Sequence, residues 1–143
     1  MKLRIVAVGK LKLRAERELC DEYYARLRRS GSLEEHELED GPKLLAAMQQ
    51  KLAGANVVAL DVKGKTLTSE ELARRLDGLA SRGKGTVALA LGGADGLPKE
   101  ILATAAERWS LSALTFPHRL ARIVLAEQLY RAVSILRGEP YHH

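Results

Sequence analysis

Cysteine is almost missing from this 143-residue sequence: Cys20 is the one thiol, so no disulfide can close within the chain. A reducing compartment, the cytoplasm, is therefore the expected setting. Cys20 itself reads as a small apolar residue on a helix, since no His or Asn is visibly arranged around it as a nucleophile would need. Aromatic residues make up only 4% of the chain, and none interleave with basic residues, so no base-stacking platform is written in the sequence. No apolar run approaches the length of about 18 residues that crosses a bilayer, and the charged start at Met1-Lys2-Leu3-Arg4 lacks a signal-peptide layout. No His/Cys/Asp spacing resembles a metal site, and no Ser–His–acid arrangement can be read. Linkers, repeats and low-complexity tracts are also lacking, which leaves one domain over residues 1–143.

What is present is an ordinary globular composition, 46% hydrophobic and 29% charged, with a net charge of +5. The charge is segregated rather than mixed. Residues 1–30 hold nine Lys/Arg against four Asp/Glu, and Glu34, Glu35, Glu37, Glu39 and Asp40 then reverse the sign. The basic N-terminal part suits phosphates, with Lys10, Lys12 and Arg14 as candidate contacts; a solvated helix face is the competing reading.

Periodicity alternates between strand and helix along the chain. Leu3 to Val8, Asn56 to Asp61 and Thr86 to Leu91 are short apolar strands, and Leu33 to Leu38 is an acidic strand suited to a sheet edge. A last strand is expected from Trp109 to Leu114. Helical spacing runs through Leu19, Tyr23 and Leu27, then from Gly41-Pro42 through Met48 and Leu52. Thr68 with Glu71 has capping-box spacing, Arg82-Gly83-Lys84-Gly85 ends that helix, Pro98 starts another, and a long helix runs from His118 to Leu136. Apolar strands separated by helices define an α/β protein with a mostly parallel sheet and helices on both faces. The last helix is apolar over a wide arc, from Leu120 through Leu136. It is covered either by loops of the same chain or, as we favour, by a second subunit in a homodimer.

Three loops draw attention. Lys63-Gly64-Lys65-Thr66 fails as a phosphate-binding loop, because Ala59 stands where its first glycine belongs. Gly92-Gly93-Ala94-Asp95-Gly96 lies between a strand and a Pro-started helix, where α/β proteins hold ligands, but it is not a dinucleotide fingerprint. Ser112-Ala113-Leu114-Thr115-Phe116-Pro117-His118 leads into the last helix, and its small and hydroxylated residues leave backbone groups free to face a ligand. His118 is either a substrate contact or a plain helix-start residue. Beyond the last helix, Gly138-Glu139-Pro140-Tyr141-His142-His143 gathers a proline, a phenol and two imidazoles. Such a tail is either frayed or a piece of an active site that the fold, or a partner subunit, receives.

These segments together resemble the RlmH family of SPOUT-class methyltransferases, enzymes of the N3 position of a pseudouridine in bacterial large-subunit rRNA. The resemblance rests on Lys2 to Lys12, Tyr23-Tyr24, Leu60-Asp61 with Gly64-Lys65, Thr68-Ser69-Glu70 and Gly92-Gly93 with Gly96. It continues through Trp109 to Ser112, Thr115 to His118, Glu127 to Ala132 and Gly138 to His142. The resemblance implies a C-terminal trefoil knot, a homodimer, and S-adenosyl-L-methionine (SAM) held in the knot. It places SAM at Leu60, Gly93, Ser112, Ala113, Leu114, Thr115, Phe116 and Pro117. It implies that the tail sits beside the cofactor of the dimer and helps form the substrate site, with 23S rRNA in the ribosome as substrate. On that reading Tyr141 and His142 are the expected catalytic residues, which position the base and assist its deprotonation, and His118 and His143 are candidate substrate contacts; neither a membrane nor a metal is expected. His143 stands where the family often carries Lys or Arg, which puts a phosphate contact there in question. A non-catalytic RNA-binding module and a nucleotide-binding α/β protein of another kind are the alternatives.

Overall fold

A computed structural model describes residues 1–83 and 85–143. Strand and helix alternate from end to end: β1 (Lys2–Val8), α1 (Arg14–Arg28), β2 (Ser32–Leu38), α2 (Leu44–Leu52), β3 (Asn56–Thr66), α3 (Ser69–Ala80), β4 (Thr86–Leu91), α4 (Lys99–Thr104), β5 (Glu107–Ser110) and α5 (His118–Leu136). The strands form one sheet in the order β2-β1-β4-β3-β5, and every pairing is parallel. The central strands β1 and β4 are buried on both faces, which is why they read as nearly unbroken apolar runs.

Alternation along β1 divides the core in two. Leu3, Ile5 and Ala7 face α1, α3 and α5, while Val6 and Val8 face α2 and α4. Connections that step one way along the sheet use the first face, and those that step back use the second. A single crossover hand requires that arrangement. α5 packs between α1 and α3 on the first face. Tyr24, Trp109 and Leu129 are the bulk of that layer, each at most 1% exposed. Most of the broad apolar arc of α5 is thus spent inside the chain; Leu120 and Leu136 remain exposed.

Local signals explain the boundaries. The Thr68 hydroxyl accepts from the Glu71 amide at 3.1 Å, so the expected cap opens α3. Lys84, in the segment expected to end that helix, lies outside the described residues. Pro42 sits in a turn ahead of α2, which begins at Leu44. The last strand differs from expectation: it runs from Glu107 to Ser110 rather than to Leu114. Ser110 Oγ donates to the Ser112 carbonyl at 2.9 Å, and Ser112 Oγ accepts from the Leu114 amide at 2.9 Å. These side-chain bonds turn the backbone out of the ladder.

β2 is the edge strand its charge suggests, yet its acids do more than guard an edge. Glu35 and Glu37 share the inward face with Leu33 and meet two arginines. Arg122 of α5, 3% exposed, bonds Glu35 at 2.7 Å, Glu37 at 2.7 Å and the Gly9 carbonyl at 3.2 Å. Arg17 of α1 bonds the same two carboxylates at 2.9 and 3.3 Å. Burial opposes the charge on Arg122, but Glu37 and Glu35 outweigh it and raise its pKa. The cluster joins α5, α1, β2 and the exit of β1.

Arg122→Met should destabilise the protein by about 3 kcal/mol in denaturant unfolding, because two half-buried carboxylates would share one remaining guanidinium. Adding Glu35→Leu should recover part of that loss, since it removes a carboxylate left short of a partner.

Candidate active site

The ends of β3 and β5 carry the candidate site, the place where parallel sheets hold ligands. β3 pairs with β5 in two stretches separated by an excursion: Leu60 and Lys65 both lie opposite Trp109. Asp61, Val62, Lys63 and Gly64 are thereby extruded from the ladder. Gly64 makes this possible, since a Cβ there would come within 2.8 Å of the Arg108 backbone. Opposite the excursion, the β5–α5 loop folds over.

Between the two lies an open cleft with about 100 Å³ of room, lined by Leu60, Asp61, Val62, Trp109, Ser110, Leu111, Ser112, Leu114, Phe116 and Ala121. Its walls are chiefly apolar, and Val62 and Leu114, each 72% exposed, stand at its rim. Polar groups are few: the Ser110 and Ser112 hydroxyls and the Asp61 carboxylate, whose Oδ1 also accepts from the Lys63 amide at 3.3 Å.

Of the expected cofactor residues, Leu60, Ser112, Leu114 and Phe116 line this cleft. Ala113, Thr115 and Pro117 alternate with them and point to solvent. Gly93 stands apart, bridged to Gly96 and lying against Val8 where β4 leaves the sheet. That turn is tight: a Cβ on Gly92 would lie 2.3 Å from the Gly96 backbone.

A second depression shares Trp109, Ser110 and Leu111 with the cleft and reaches Ser69 and Gln128. Ser69 Oγ donates to Gln128 Oε1 at 2.7 Å, tying the start of α3 to the middle of α5. The C-terminal tail docks on the residues beside these two. Gly138, with φ of +69°, reverses the chain after α5. Tyr141 then packs edge-on against Tyr130, with ring centroids 4.7 Å apart, under the Arg131 guanidinium at 4.8 Å. The Tyr141 hydroxyl donates to Glu127 Oε2 at 2.8 Å. Arg131 bonds Glu127 at 2.8 Å and donates to His142 Nδ1 at 3.0 Å, while the other ring nitrogen of His142 meets Glu70.

Partial burial, and then the bond to Glu127, push the Tyr141 phenol well above its usual pKa. The bond from His142 holds Glu70 below the ordinary carboxylate value. Tyr141 is therefore a neutral donor at physiological pH, not a phenolate base.

The remaining expected contacts lie elsewhere. Lys10 and Lys12 border a groove shared with Glu37, Glu39 and Asp40. Arg14 is bonded to Glu18 at 2.7 Å, and His118 and His143 are exposed. The structure does not gather these five into one cavity. Residues the sequence reading left without a role are Asp61 and Trp109 in the cleft and Glu70, Glu127 and Arg131 under the tail. The four-residue spacing of Glu127 and Arg131 on one helix face was the available signal. No group of three or more His, Cys, Asp or Glu among the described residues could hold a metal. Among them, too, no helix is long and apolar enough to cross a membrane.

This architecture is that of a class of methylases. The chain superposes on a probable methylase family protein from Haemophilus influenzae Rd KW20 with a TM-score of 0.61 and 13% identity, over 99% of this chain and 70% of that one. A probable methyltransferase from Bordetella pertussis Tohama I matches with a TM-score of 0.61 and 15% identity, over 92% and 94%. At such identities the likeness establishes the fold. Sequence takes the assignment further: the family described as "Predicted SPOUT methyltransferase" matches residues 1–142, and the chain belongs to that family. Ribosomal RNA large subunit methyltransferase H of Sorangium cellulosum (strain So ce56) is 52% identical over 145 residues, covering all of both chains. The protein of that name from Rubrobacter xylanophilus is 48% identical over 155 residues, covering 96% of each.

Because the folded state favours the neutral phenol, the stability Tyr141 contributes is complete below the ordinary phenol range and drains as pH rises above it. In the protein with carbon-13-labelled tyrosines, the Tyr141 resonance should titrate at higher pH than free tyrosine. Glu127→Gln should move that midpoint down.

Proposed function

We propose that this protein is a SAM-dependent methyltransferase that modifies N3 of a pseudouridine in 23S rRNA on the assembled ribosome. The observation that carries this reading is the 52% identity, across the whole of both chains, to a ribosomal RNA large subunit methyltransferase H. The cleft supports it chemically. Its apolar walls at Leu60, Leu114 and Phe116 suit an adenine ring, and a single lining carboxylate, Asp61, suits a ligand carrying ammonium and sulfonium charge. When bound, SAM would supply a methyl group already activated for transfer. Gly93 and the exposed loop residues Ala113, Thr115 and Pro117 belong to the same expected cofactor site. The chain's C-terminal threading into a trefoil knot is part of this proposal.

The chain's own residues have a definite task. A uracil-type N3 carries a proton at neutral pH, so its lone pair becomes a nucleophile only when that proton leaves. Histidine is the usual general base near neutrality, and His142 fills that role here. Tyr141, held protonated, positions the base instead. His118 and His143 contact the substrate, and Lys10, Lys12 and Arg14 meet backbone phosphates. The active form is a cytoplasmic homodimer. Leu13 and Leu19 on the α1 side and Leu120 and Leu136 on α5 are the exposed apolar residues available to a second copy.

Labelled methyl groups should pass to intact ribosomes and map to one pseudouridine. Transfer to no RNA from ribosomes, subunits or free rRNA would end the proposal. Truncation after Gly138 should abolish transfer while leaving SAM binding by calorimetry within about twofold. The double variant Lys10→Gln/Lys12→Gln should weaken ribosome binding and lower the slope of log affinity against log salt by about 1.5.

A further inference from the structure

Both ring nitrogens of His142 are occupied, by two elements far apart in the chain. Arg131, on α5, donates to Nδ1 at 3.0 Å. Glu70, in the first turn of α3, meets Nε2. A guanidinium has donors only, so Nδ1 must present its lone pair, and the proton of the neutral ring must sit on Nε2 and be donated to the Glu70 carboxylate. Arg131 is itself held, by Glu127 at 2.8 and 3.1 Å, and Tyr141 donates to the same carboxylate. The groups facing the imidazole are thus Glu70 from α3, Arg131 and Glu127 from α5, and Tyr141 from the tail.

Resting on the reading of His142 as the base, we propose that Glu70 is its positioning residue: it fixes the Nε2–H tautomer and steadies the imidazolium formed when Nδ1 takes the N3 proton. Arg131 aims the Nδ1 lone pair in the resting state and yields its place to the substrate N3–H. In the step itself the N3–H bond breaks and the proton goes to Nδ1. The electron pair stays on N3 and forms the bond to the methyl group of the sulfonium donor as the carbon–sulfur bond breaks. His142 then loses the Nδ1 proton to water. A carboxylate on one imidazole nitrogen, with the other nitrogen acting as base, is the arrangement by which acid–His pairs select a tautomer in other enzymes. Glu70 and His142 are partly exposed, so solvent moderates the effect to about fivefold in rate.

The test uses nitrogen-15-labelled full-length protein with Glu70→Ala and Glu70→Asp. In the unaltered protein the His142 resonances should report the Nε2–H tautomer. Glu70→Ala should lower kcat about fivefold with KM for ribosomes unchanged and, in an Arg131→Ala background where no guanidinium dictates the tautomer, should turn the Nε2–H form into a mixture; Glu70→Asp should restore both. Melting temperatures taken alongside register any loss from the first turn of α3, which would not move the tautomer. A tautomer unchanged when Glu70→Ala is added to Arg131→Ala, or a loss confined to KM, overturns the proposal. Absence of methyl transfer by the unaltered protein overturns the functional reading instead, and the tautomer measurement still decides the role of Glu70.

Discussion

Arg122 is the constraint on which much else depends. Its guanidinium is buried, and Glu35 and Glu37 held against it offset the cost of taking that charge out of water. Those carboxylates come from the edge strand, and the third acceptor, the Gly9 carbonyl, comes from the end of β1. One side chain therefore fixes the longitudinal and rotational setting of α5 on the sheet. An apolar contact would tolerate sliding by a fraction of a turn; a set of directed bonds does not. α5 in turn sets both halves of the site. Its N-terminal end supplies Ala121 to the cleft, and its middle supplies Glu127 and Arg131 to the tail.

The layered α/β plan was legible because its cause is local. Apolar runs at β1 and β4 record burial on both faces, and the Thr68–Glu71 spacing records a cap that the structure shows. The loop from Ser112 to Pro117 was legible for a similar reason, since small and hydroxylated residues between a strand and a helix leave backbone groups free. What escaped was every feature made by residues distant in the chain. Arg122 looks like an interruption of an apolar stripe until Glu35, 87 positions earlier, is placed beside it. The acids of β2 read as edge protection because nothing local announces that alternate ones turn inward. The end of β5 was misread because Leu111 to Leu114 keeps a strand-like composition, while Ser110 and Ser112 spend their hydroxyls on turning the chain.

Likewise, the tail announced chemistry but not its division of labour. Two residues that can both trade protons stand side by side, and the surroundings separate them. Partial burial and Glu127 keep the Tyr141 phenol protonated, whereas Arg131 and Glu70 leave His142 a defined lone pair. Because Glu127 serves both Tyr141 and Arg131, the two tail side chains are ordered together rather than independently. The chain belongs to the SPOUT methyltransferase family, and it carries a cleft at the strand ends and, beside the neighbouring depression, a terminus organised by one acidic helix position.

The excursion in β3 has a consequence for how such a protein can change. Trp109 is the partner of Leu60 before the excursion and of Lys65 after it, so the ladder resumes as though Asp61 to Gly64 were absent. Mutational drift at Asp61 and Val62 can remodel the wall of the cleft while the sheet's hydrogen bonds stay intact. Only Gly64 is barred from drifting, because it lies against the backbone of β5. The lining of the cleft and the pairing of the sheet are thereby written on separate stretches of one strand, and selection can act on the first without taxing the second.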